Sequence, residues 1–112
     1  MSDLNSIIPV SWSAPEFVNA FVTTRSDGFS TGVYQSFNLA EHVNDKNSSV
    51  VKNRERLHHV LGLPSAPFWL NQTHSNLCIE ADYHSKKRNA DAAFSRKSQL
   101  VCVVMTADCL PI

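Results

Sequence analysis

The chain has 112 residues, 43% hydrophobic and 18% charged, which suits one domain or part of one and excludes wholesale disorder. Ten Lys/Arg balance ten Asp/Glu, so a non-specific nucleic-acid or membrane-surface binder is not expected, although a local basic pocket is not excluded. Three cysteines without Cys-x-x-Cys spacing form neither a disulfide framework nor a four-cysteine zinc module. With no signal-peptide pattern and no apolar run near the ~18 residues of a membrane span, the expected setting is reducing and cytoplasmic.

In chain order, Pro15 closes a short lead-in and Phe17 to Val22 reads as a strand, mostly apolar on both faces. Asp27-Gly28 then signals a turn, which puts Arg25 where a strand gives way to a loop. From about Ser49 to Leu61 the pattern is helical. Val50, Val51, Leu57, Val60 and Leu61 share one face, and Lys52, Asn53, Glu55, Arg56 and His59 lie mostly outward. Gly62 is a natural terminator and Pro64 prevents resumption. Phe68-Trp69-Leu70 is a second strand, with Asn76 to Ala81 as a hairpin partner. Ser85 to Asn89 is a solvated basic loop, and Ala90 to Phe94 a short strand or turn. Leu100 to Met105 reads as a strand buried on both faces, with Cys109 just past its end. Several strands and one clear helix predict an α+β, or mixed α/β, fold.

His74 and Cys109 each follow an apolar strand-like run, so both are expected at one end of a sheet. Imidazole and thiolate are good zinc ligands, and a catalytic zinc usually takes three protein ligands and keeps one open position. On spacing alone the pair reads better as a buried thiol and a hydrogen-bonded loop histidine. Arg25, at a strand-to-loop junction, is a candidate functional side chain, with loop capping or pairing to Asp27 as the alternative. Asn38 and Asp91 either orient ligands and substrate or serve turns, and Asp108 is a partner for the site or a general base. Cys78 and Cys102 are expected to pack in the core. His42, His58, His59 and His84 are expected at the surface.

Six segments stand in a telling order: Thr23 to Gly28, Ser36 to Leu39, Asn53 to Leu57, Trp69 to His74, Ala90 to Ala92, and Met105 to Pro111. In this they resemble the YfiH family, also called the polyphenol-oxidase or multicopper-laccase-domain family and, more recently, purine nucleoside phosphorylase. The resemblance implies a single mixed α/β domain of about twice this length, related to a bacterial toxin deamidase and truncated here after Ile112. It implies a metal site using His74, Cys109 and a second histidine from a later His-Ala-Gly-Trp-Arg-Gly segment. It implies zinc, with copper as an alternative metal, and a cationic clamp for phosphate, with Arg25 and Asn38 as substrate-binding residues. The implied activity is phosphorolysis of adenosine, inosine, guanosine and 5′-methylthioadenosine, with adenosine deamination. Two departures stand out: Asp27 occupies a usual glycine position, and Thr73 and Ser75 flank His74 where valine and glycine are usual. Two other readings stay open. One is a Cys109-nucleophile amide hydrolase of cell-wall precursors with His74 as base; the other is a non-catalytic truncated chain.

Overall fold

Helix α1 (Asn47–Leu61) dominates the first part of the chain, and Gly62 ends it at φ +56°, a left-handed conformation that glycine adopts without steric cost. Its buried residues are Val50, Asn53 and Leu57, spaced to fall on one face. Two expectations change here. Val51 is exposed, whereas Asn53, expected outward, is fully buried. A polar residue on the inner face has its bonds made inside the protein.

The computed structural model describes residues 7–107, and along the chain these divide between Val60 and Leu61 into two compact units. In the first unit β1 (Ile7–Pro9) pairs antiparallel with β2 (Phe21–Thr23), Ile8 opposite Val22. The expected strand from Phe17 therefore starts later. Phe17 and Val18 precede it and are exposed. A 3-10 turn (Gly32–Tyr34) follows, and Phe37, Val50 and Leu57 are the unit's buried apolar side chains among the described residues.

Gly28 is required by close approach. A Cβ there would stand 2.2 Å from the Ser36 carbonyl oxygen and 2.6 Å from Phe37 Cα, both main-chain atoms. Gly28→Ala is expected to cost about 2 kcal/mol, as overpacking does. A shift in the denaturant midpoint of the intact protein measures it, and an unchanged midpoint would show that the loop yields freely.

The second unit is a set of parallel pairings. β3 (Pro67–Phe68) pairs parallel with β6 (Val101–Cys102), and β4 (Cys78–Glu80) with β5 (Ala92–Phe94). Beyond β3, Asn71 bridges Asn89, also in parallel. The 67–71 segment is thus flanked on both sides. Phe68, Leu70, Ala81 and Ala90 form the core, with Ile79 and Ala93 packed against it. Arg88 lies in the predicted basic loop, but its guanidinium stacks 3.6 Å from the Phe68 ring centroid, a cation–π contact over the core.

Three further expectations are corrected. Asn76 to Ala81 is no hairpin partner of β3, because β4 joins β5 instead. The 100–105 run is not buried on both faces. Cys102 and Val104 are exposed while Val101, Val103 and Met105 are half-buried, the alternation of a strand with one covered face. Cys78 and Cys102 are free and exposed rather than packed inside. The four remaining histidines, His42, His58, His59 and His84, are exposed as expected.

Candidate functional site

Because β3 and β6 are parallel, the segments that follow them leave the sheet at the same edge. One of these segments carries His74; the other runs through Met105 towards Cys109. Carboxyl ends of parallel strands are where ligand-binding loops commonly lie. Cys109 and Asp108 fall outside the described residues.

The His74 loop has a fixed main chain. His74 itself is exposed and sits at φ +60°, a region in which histidine is enriched among non-glycine residues. Three successive amides point at one carboxylate. Thr73 N–H and Ser75 N–H donate to Asp91 Oδ1 at 3.1 and 2.8 Å, and His74 N–H donates to Oδ2 at 3.0 Å. The Ser75 hydroxyl adds a fourth bond, 2.8 Å to Oδ1. Successive amides arranged in this way form a concavity for an anion, and here the anion is an internal side chain. Asp91 thus belongs to the site as the residue that shapes the His74 loop.

Those bonds hold the Asp91 carboxyl down at about 2, chiefly through the Ser75 N–H and then the Ser75 hydroxyl. A carboxylate depressed in this way stabilises the folded loop fully above its ordinary value of 3.8 and loses that effect as pH falls through about 2. The Thr73, His74 and Ser75 amide resonances of the intact protein are therefore expected to titrate together with a midpoint near 2. A midpoint near 4 would show that Asp91 does not hold them.

Gln72 was legible only as part of a short distinctive segment, and the structure gives it a specific task. Its side-chain amide bonds both backbone polar groups of Met105: Nε2 donates to Met105 O at 2.8 Å, and Met105 N–H donates to Oε1 at 2.6 Å.

In the first unit, exposed Arg25 donates from Nε and Nη2 to Gln35 O at 3.0 and 2.8 Å. Its own carbonyl accepts the Ser36 and Phe37 amides and the Ser36 hydroxyl. Arg25 therefore caps its loop, and these bonds do not involve Asp27. Asn38 Nδ2 donates to Ala40 O and Asp45 Oδ2 at 3.2 and 3.1 Å, and its Oδ1 accepts the Ala40 amide. Asn53 organises the same region. It accepts Phe29 N–H at 2.7 Å and donates to Ser30 Oγ at 2.9 Å and Asn38 O at 2.7 Å.

Among the described residues no group of three or more His, Cys, Asp or Glu side chains stands together as a metal cage. The donor types still suit a borderline-soft metal: an exposed imidazole on a fixed loop and, outside the described residues, the thiol of Cys109. No helix among the described residues is long and apolar enough to cross a membrane.

The fold is that of a mixed α/β protein of the YfiH type. A crystal structure of a Neisseria meningitidis protein of the DUF152 family model superposes with a TM-score of 0.83 at 39% identity, covering 93% of this chain and 43% of that one. YlmD from Geobacillus stearothermophilus gives a TM-score of 0.74 at 25% identity, over 86% of this chain and 40% of that one. Residues 19–112 match the family described as multi-copper polyphenol oxidoreductase laccase, and the chain belongs to that family. Curated relatives carry a different activity in their names. A purine nucleoside phosphorylase of Haemophilus influenzae is 46% identical over 101 residues, 90% of this chain and 41% of the relative. Purine nucleoside phosphorylase YfiH of Escherichia coli is 40% identical over 111 residues, 97% of this chain and 45% of the relative. The chain thus spans less than half the length of the relatives it matches.

Proposed function

We propose that this chain is the N-terminal part of a single YfiH-type domain and that the intact protein is a zinc-dependent purine nucleoside phosphorylase that also deaminates adenosine. The observation that carries this reading is the parallel β3–β6 pairing, which sends the His74 loop and the segment leading to Cys109 off one edge of the sheet. The names of the relatives supply the substrate class, a purine nucleoside and phosphate. His74 and Cys109 contribute an imidazole and a thiolate, and a third ligand comes from outside this chain. When bound, the metal supplies Lewis-acid and water-activating chemistry. Copper competes at such a donor set because it stands above zinc in affinity order. Arg25 contributes an exposed guanidinium to a phosphate or another substrate anion. Asn38 holds the neighbouring loop through Ala40 and Asp45. Free, exposed Cys78 and Cys102 suit a reducing, cytoplasmic setting.

The test is a phosphate-dependent assay on the intact purified protein with its metal content measured in parallel. Release of hypoxanthine and ribose 1-phosphate from inosine, by protein carrying one zinc per chain, is the expected result. Metal-free protein that cleaves an amide bond and ignores inosine would replace this reading with the Cys109-nucleophile hydrolase.

A further inference from the structure

The backbone pairing between β3 and β6 stops well short of the site. It joins Pro67 to Val101 and Phe68 to Cys102, and past that point the two segments no longer form a backbone ladder. What holds them together further on is a side chain. The Gln72 amide presents a donor and an acceptor to Met105 in the way that a backbone peptide would, over a separation of 33 residues. On its other flank the same segment is fixed by Asn71 N–H donating to Arg88 O at 2.7 Å.

Both partners stand close in sequence to the proposed ligands. His74 follows Gln72 by one intervening residue. From Met105, a chain rising about 3.5 Å per residue takes Cys109 no further than about 14 Å. Fixing Met105 against Gln72 therefore keeps the start of the segment that leads to Cys109 beside the His74 loop. Asp91 holds the loop's own shape, and Gln72 sets its distance from the other segment.

We propose that Gln72 is a positioning residue: by bonding both backbone polar groups of Met105, its side-chain amide ties the segment that leads to Cys109 to the His74 loop. This rests on the reading of His74 and Cys109 as metal ligands. It acts through geometry and requires no contact between Gln72 and metal or substrate.

The experiment uses the intact protein, stripped of metal and titrated with Co(II) alone, whose thiolate-to-cobalt absorption band reports the bond to sulfur. Gln72→Ala is expected to weaken Co(II) binding by about 10- to 100-fold, the usual scale for losing a partner that orients a ligand, and to diminish the band. Gln72→Glu keeps the acceptor for Met105 N–H but loses the donor to Met105 O at neutral pH, so it should fall between Gln72→Ala and wild type. Tyr83→Phe is the control for general destabilisation, since it removes the 2.7 Å bond to Ala66 O near the start of β3, away from the clamp. It should lower the melting temperature and leave Co(II) affinity and band unchanged. Undiminished affinity and band in Gln72→Ala would overturn the positioning role alone, and so would equal weakening in Tyr83→Phe. A wild-type protein that binds Co(II) without a thiolate band would overturn the ligand reading, and the positioning role with it.

Discussion

Asn53→Ala is expected to remove about 3 kcal/mol of stability, a large share of the ~5–15 kcal/mol that holds a typical domain together. The side chain is fully buried and makes three bonds, to Phe29 N–H, Ser30 Oγ and Asn38 O. Alanine leaves the Phe29 amide and the Asn38 carbonyl without this partner, while Ser30 Oγ keeps its bond to Asp45 Oδ2, and each unsatisfied buried group costs about 1–3 kcal/mol. Asn53→Asp fails for a second reason: a carboxylate accepts the Phe29 amide but has no proton for Asn38 O, and it brings a charge into the interior. Denaturant unfolding of the intact protein, followed by Trp fluorescence, measures the effect. A loss under about 1 kcal/mol would mean that water replaces the missing amide.

His74→Ala is expected to have the largest effect on function. If His74 is one of three ligands, as proposed, its loss exceeds the ~10–100-fold cost of losing an orienting partner, so the variant should purify with little or no zinc and show no measurable inosine phosphorolysis. Stability should change little, because the His74 ring is exposed and the loop is held by the backbone amides of residues 73–75. Metal analysis and the phosphorolysis assay check this together. A zinc-loaded, active His74→Ala protein would remove His74 from the ligand set.

How far the sequence carried these conclusions depended on the range of each interaction. Helix α1 was legible because its signals are local: an apolar face, then Gly62 and Pro64. Asn53 was misread for the same reason. On a helix a lone polar residue looks solvent-facing, and its three partners lie on a loop 15 to 24 residues away. The 100–105 run was read as doubly buried because apolar composition hides alternation, and only the parallel pairing with β3 shows which face is covered. Parallel pairing itself leaves no turn signal between its strands, so the β4–β5 partnership was mistaken for a hairpin. At the site, His74 and Asp91 were both marked by the segments they occupy, but the bond between them was not. Gln72 was visible only as part of a motif, since nothing local marks a side chain that grips a peptide 33 residues away.

That separation also bears on how the chain becomes ordered. α1 forms from contacts along a single stretch of chain, whereas the Gln72–Met105 bridge closes a loop of 33 residues before it gains any hydrogen bond. Contacts of that range carry the entropy cost that slows folding. The edge bearing His74 is accordingly expected to order after the helix, and its amides to exchange with solvent hydrogen sooner than those of α1.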